Sequence, residues 1–294
     1  MGGEEERPGF PLITDKELLE KDCRFIHHVN PFVYTGYRTP TQDNIKTLKT
    51  VCYLHNESVN IWSHLGGFII FLGLIIYWTI YKSRESSSMK NIANYIYLFS
   101  ILSLMFVSTL YHVSIGHSAP VANDCQCFDW SGVSLVCMGS GIYTAFYELY
   151  EKGYKDIFMI FLILSIAFAG YFILTIKESL QKCHLEAETG KVVCEVKNSF
   201  DVYWRTFMIC LFSLSTILAW FIHFMIERRC TEEMRRSLIM ILFTYLGYAT
   251  VVFKLTCVPE RFCEKMFDFF GYSHQIFHFG VLTGALLLWY TYYH

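Results

Sequence analysis

Three histidines, an aspartate and a serine carry the most specific chemistry in this sequence. Ser273-His274-Gln275-Ile276-Phe277-His278 opens a run that continues to Tyr293 without Asp, Glu, Lys or Arg. On a helix, residues four apart share a face, so His274 and His278 project the same way, one turn apart. Ser108 and His112, also four apart, stand near the end of an earlier apolar run, and Asp129 opens the next. Zinc takes imidazole nitrogen readily, and a catalytic zinc commonly has three protein ligands and an open fourth place. His112, His274 and His278 supply that donor set. Zinc held in this way lowers the pKa of water towards neutrality and polarises a carbonyl. Asp129 then reads as a general acid–base, and Ser108 as a hydroxyl that bonds the water or an oxyanion. Glu57, Asn60 and His64, three and four apart at the start of the first apolar run, read as groups that fix a ligand or the helix packing from behind.

Each residue also has a plainer reading. Two histidines one turn apart make a hydrogen-bonded pair, Asp129 caps a helix N-terminus, and His64 bonds across helices. Level within the membrane favours chemistry. Ionisable groups inside a bilayer are costly without a function or a partner. A chain that crosses back and forth puts the starts of its first, third and seventh helices, and the end of its second, at one face. All the residues named above lie at those four places. His223, near the far end of the fifth run, belongs to the opposite face and reads as structural. His27-His28, His117 and His184 sit in polar segments and carry no signal. Lys254 is expected to snorkel towards the cytoplasmic side.

The elements that must position these groups follow from composition. The 294 residues are 53% hydrophobic and 17% charged, against roughly a quarter charged in soluble domains. That makes a polytopic membrane protein, and a net charge of −2 gives no hint of nucleic acid. Apolar runs at about 59–81, 92–115, 129–149, 156–176, 203–226, 237–257 and 272–293 give seven spans. The expected fold is an all-α, seven-transmembrane helix bundle (58–294) behind a cytoplasmic tail (1–57). In the tail, Thr14 caps a helix that begins with Asp15 and Glu17. A second helical pattern after Thr41 sets Ile45, Leu48, Val51 and Cys52 on one face, as an interfacial helix before the first span does. Connections are short except the polar Lys177–Val202. The N-terminus shows no signal peptide, and Glu6 disfavours myristoylation. Eleven scattered cysteines imply no disulfide framework. Lys and Arg are in excess on the side of the tail, which places the N-terminus in the cytoplasm and the C-terminus in the lumen or outside the cell.

Five blocks in order extend this reading. They are His55-Asn56-Glu57-Ser58-Val59-Asn60-Ile61-Trp62-Ser63-His64, Ser108-x-x-x-His112, Phe128-Asp129-Trp130-Ser131-Gly132, Val258-Pro259-Glu260-Arg261-Phe262 and Ser273-His274-Gln275-Ile276-Phe277-His278. From about Gly36 to the C-terminus the chain resembles the progestin and adipoQ receptor family. The first block, with Asn30-Pro31-Phe32 and Gly36-Tyr37-Arg38 before it, is nearest the family's Golgi-resident, Raf-kinase-trapping branch. The resemblance implies seven spans with a cytoplasmic N-terminus, zinc on the three histidines, and Ser108 and Asp129 in the roles given above. The family is known for hormone receptors and for reported ceramide hydrolysis, and alkaline ceramidases share its Ser, Asp and three His.

Two functions follow. One is a zinc-dependent intramembrane hydrolase of a lipid amide such as ceramide, in the Golgi or the plasma membrane, with a sphingolipid or fatty acid as its lipid partner. The other is a receptor or scaffold with structural zinc, whose partners are a hormone or a cytoplasmic kinase. A proton or ion transporter fits less well, because the polar groups gather at one face instead of lining a path.

Overall fold

An apolar run of spanning length satisfies its backbone polar groups only by closing them within a helix, and this chain folds accordingly. The computed structural model describes residues 11–188 and 207–293, except 23, 24, 26, 27, 208, 210 and 212, with side chains as far as Leu174 and again from Phe207. Its two short strands, β1 (Leu12–Ile13) and β2 (Tyr37–Arg38), pair antiparallel in the tail.

The tail's two helices form where the sequence predicts them. In α1 (Asp15–Lys21), Thr14 Oγ1 accepts from Glu17 N at 3.2 Å, and Glu17 Oε2 accepts from Thr14 N at 2.7 Å. That is a closed capping box. Phe25 falls beyond the helix end and is buried with Leu18, Val33 and Tyr37. In α2 (Asn44–Thr50), Asp43 caps the start, and the buried side chains are Thr47 and Thr50. Ile45 and Leu48 stay 67% and 61% exposed. An apolar face turned away from the protein suits a helix lying on a bilayer surface.

The bundle consists of α3 (Ser58–Tyr77), α4 (Ser88–Ser114), α5 (Ala119–Ala145), α6 (Lys155–Glu188), α7 (Ser215–Glu227), α8 (Glu232–Tyr248), α9 (Val251–Thr256) and α10 (Ser273–Tyr293). Wide helical turns at Trp78–Lys82 and Phe146–Tyr150 extend α3 and α5. Among the described residues, four stretches are long and apolar enough to cross a membrane: Ser58–Lys82, Ser88–Ser114, Lys155–Leu174 and Glu232–Thr256. Ile69, Ile163, Leu164 and Leu246 point outwards from them. α5 and α10 are of similar length but carry polar side chains inward.

Two boundaries differ from the sequence reading. α5 begins at Ala119 rather than near residue 129, because Ser118 and Pro120 start it and its first turns tolerate Asn123, Asp124 and Gln126. Asp129 therefore lies well inside the helix, and the capping explanation for it falls away. α6 runs on to Glu188, so part of the expected Lys177–Val202 connection is helical. The side chains of Cys183 and His184, residue Cys194 and the start of the expected fifth span lie outside the described residues.

The core runs the length of the bundle through Phe71, Tyr97, Met105, Tyr143 and Trp289. Tyr97 donates to the Ala285 carbonyl at 2.6 Å, which ties α4 to α10. At the end away from the histidine cluster, His223 Nδ1 lies 2.8 Å from Glu148 Oε2, and Tyr292 donates to Glu148 Oε1 at 2.8 Å. The tail closes the other end. Arg38 donates to the His112 carbonyl at 2.5 Å and to Thr50 Oγ1 at 2.9 Å. Thr35 and Tyr34 N donate to Asp268, at 2.7 and 3.1 Å. His28 is not a solvated tail residue: it is buried between Tyr111 and Asn123, at 3.2 and 3.0 Å.

Candidate metal centre

α10 starts under a carboxylate. Ser273 donates its N–H to Glu260 Oε2 at 2.8 Å and its hydroxyl to Glu260 Oε1. Asn30 holds the same Oε1 at 2.9 Å. With its first residue pinned, α10 presents His274 and His278 one turn apart towards α4, which brings His112. The ligating atoms of the three all lie within 4.8 Å of one another. His112 Nε2 and His274 Nε2 are 3.3 Å apart. Two nitrogens bound to one tetrahedral zinc at about 2.0–2.1 Å sit about 3.3–3.4 Å apart. The cluster can hold a metal ion.

The far side of two rings is braced. Glu57 occupies the N-cap position of α3 but makes no capping bond. Its Oε2 instead meets His112 Nδ1 and Asn60 Nδ2, both at 2.7 Å. Asn60 also donates to the Tyr272 hydroxyl at 2.6 Å. Ser63 Oγ lies 3.3 Å from His278 Nδ1. Holding the outward ring nitrogen fixes the tautomer and aims the other nitrogen at the centre, the usual arrangement of metal-binding histidines.

Asp129 and Ser108 complete the group. Asp129 Oδ1 is buried and has no hydrogen-bond partner, and the carboxyl feels His112, Lys254 and Ser108. Ser108 is buried one turn before His112. His64 stacks on His278 with ring centroids 3.8 Å apart, and neither of its nitrogens has a partner. It stands beside the three clustered donors, not among them. All eight residues singled out from spacing thus meet at one end of the bundle.

Spacing missed three. Ser63 follows Asn60 by one turn, a signal that was there to read. Tyr272 shows none. Lys254 does not snorkel outwards: its Nζ lies 4.9 Å from the Phe277 ring centre and 5.9 Å from that of Trp130. Close helix approach turns it inward. A Cβ on Gly280 would collide with the Gly247 carbonyl and the Thr250 hydroxyl, so glycine there lets the end of α8 and the turn into α9 lie against α10.

A family model described as Haemolysin-III related matches residues 52–289, a span that takes in the whole cluster. The chain belongs to the haemolysin-III-related family. Within this family it is similar to the adiponectin receptor protein of Drosophila melanogaster, at 27% identity over 88% of this chain and 54% of that protein. It is 26% identical to human progestin and adipoQ receptor family member 3, over 88% and 79% of the two chains. To the ADIPOR-like receptor IZH2 of Saccharomyces cerevisiae it is 25% identical over 87% and 77%. The chain spans about half of the fly protein, and such even identities single out no one branch of these haemolysin-III-related proteins.

Proposed function

We propose that this protein is a seven-span membrane hydrolase with a cytoplasmic N-terminus, whose three histidines hold zinc at a site that cleaves a lipid amide of the ceramide type. One observation carries the reading: a buried Asp129 oxygen without a partner stands beside three clustered imidazoles. A structural zinc is closed by four protein ligands, whereas here three imidazoles cluster and Asp129 Oδ1 keeps its hydrogen-bonding capacity unspent. When bound, the ion supplies Lewis acidity towards the amide carbonyl and acidifies water. The chain's own groups do the rest. Glu57 and Ser63 keep His112 and His278 turned to the centre. Asp129 takes a proton at Oδ1 from the attacking water and returns it to the departing amine. Ser108 donates to the oxygen on which negative charge develops.

The deciding experiment measures zinc content and fatty-acid release from ceramide by the purified protein. Full zinc with no release from any lipid amide tested would refute the hydrolase.

A second reading has its own support. Relatives bear the names of receptors, and Arg38 ties the tail to the backbone of His112. A hormone or a cytoplasmic kinase acting on such a protein, in the Golgi or the plasma membrane, would use the ion as a brace for the bundle. That reading expects kinase binding to survive Asp129→Asn unchanged.

A further inference from the structure

Among the described residues of the helices that meet at the histidine cluster, Lys254 is the one Lys or Arg at that end. Arg38 reaches the same region from the tail, but its guanidinium is engaged by the His112 carbonyl and Thr50. The Lys254 ammonium makes neither a hydrogen bond nor an ion pair. It is half-buried on α9 against the faces of Phe277 and Trp130, contacts that stabilise a cation only in part. Two carboxylates, Asp129 and Glu57, lie within its field. Glu57 is already engaged by His112 and Asn60, and Asp129 Oδ1 receives no hydrogen bond from it. A cation held among aromatic rings at a membrane site, with no anion bonded to it, is a binding group awaiting one.

We propose that Lys254 is the anion-binding residue of this site and takes the carboxylate of a long-chain fatty acid between Trp130 and Phe277. This rests on the hydrolase reading for the source of that acid. Hydrolysis breaks the amide C–N bond and forms a C–O bond from water. The nitrogen leaves with the proton relayed by Asp129, and the acyl half ionises to a carboxylate. Lys254 repels the ammonium-bearing amine and attracts the carboxylate, so the amine departs first and the acid is retained. The acyl chain lies along the apolar flank of the bundle, towards lipid.

The test compares binding of oleate and oleyl alcohol, which share a chain but not a charge, to the full-length protein in lipid nanodiscs. It uses zinc-loaded and chelated parent, Lys254→Gln and Lys254→Arg. The parent should prefer oleate by about ten-fold or more, the worth of one hydrogen bond to a charged group. Lys254→Gln should lose that preference while its affinity for the alcohol stays put, which guards against misfolding. Lys254→Arg should keep it, and chelation should leave the dependence on Lys254 intact. A Lys254→Gln protein that still prefers oleate as the parent does would overturn the inference, as would a parent with no preference. Lys254-dependent oleate binding without turnover of any amide would retain the subsite and remove the hydrolase. Turnover with a preference indifferent to Lys254 would do the reverse.

Discussion

Glu57 stands where a helix cap would stand, yet its carboxylate turns to His112. Glu57→Gln keeps the shape and removes the charge that braces the ring, so metal affinity should fall about 10–100-fold, read by competition with a chelator. Alanine at His112, His274 or His278 should empty the site, whereas His64→Ala should leave metal bound. Metal analysis of the four variants separates ligands from neighbours. Asp129→Asn should retain zinc and slow ceramide hydrolysis by on the order of 10²–10⁴. Zinc-replete protein with undiminished turnover would remove the proton-carrying role. His55 gives a prediction in pH. Burial first, and the Arg38 charge second, hold its imidazole down to about 3, and its Nδ1 accepts from Glu57 N at 3.1 Å in the neutral form. The unfolded chain protonates near 6.5. This residue therefore adds stability above that pH, and the contribution drains away as pH falls from there towards 3. Limited proteolysis of the tail should quicken between pH 7 and pH 5, and less so in His55→Gln. The donors themselves were legible because four-residue spacing fixes a shared helical face. Lys254 was not, since whether a lysine snorkels depends on how its helix is rotated.

At the scale of helices, hydropathy located the four runs that form spanning-length apolar helices among the described residues, but not where α5 begins. Its first turns are polar and face inward, so nothing in them announces a membrane segment. α6 overruns its predicted end for a related reason: past the apolar residues the chain still favours helix. The pair at the far end of the bundle tests whether the two ends are independent. Side chains of His223 and Glu148 are each 5% exposed, and removing His223 leaves Glu148 Oε2 without a partner in the interior while Tyr292 still donates to Oε1. His223→Ala should cost about 1–3 kcal/mol of stability, the worth of one buried acceptor left unpaired, and leave metal binding at the opposite end as it was. Thermal unfolding and metal content, measured on the same sample, check both halves.

For the molecule as a whole, helix parity gave the expectation that the starts of three helices and the end of a fourth share one level, and the residues at those four places do lie together at one end of the bundle. Parity does not say which side faces the cytoplasm. Cys52 and Cys230 are both exposed, one before α3 and the other between α7 and α8. With a cytoplasmic tail, an impermeant maleimide on intact cells that display the protein at the plasma membrane should label Cys230 and reach Cys52 only after permeabilisation, each scored in a single-cysteine variant. Glycan on Asn56 would invert that topology.

The tail's contacts also set an order of assembly. Asn30 and Thr35 are bonded to Glu260 and Asp268, partners more than two hundred residues later in the chain. Translation delivers the tail first and those partners near the end. Arg38 and His28 can find His112, Tyr111 and Asn123 once the second and third helices are made, so the bonds of Asn30 and Thr35 close last. A nascent chain stalled before Glu260 would hold its tail by the early contacts alone, with Asn30 and Thr35 still open to water.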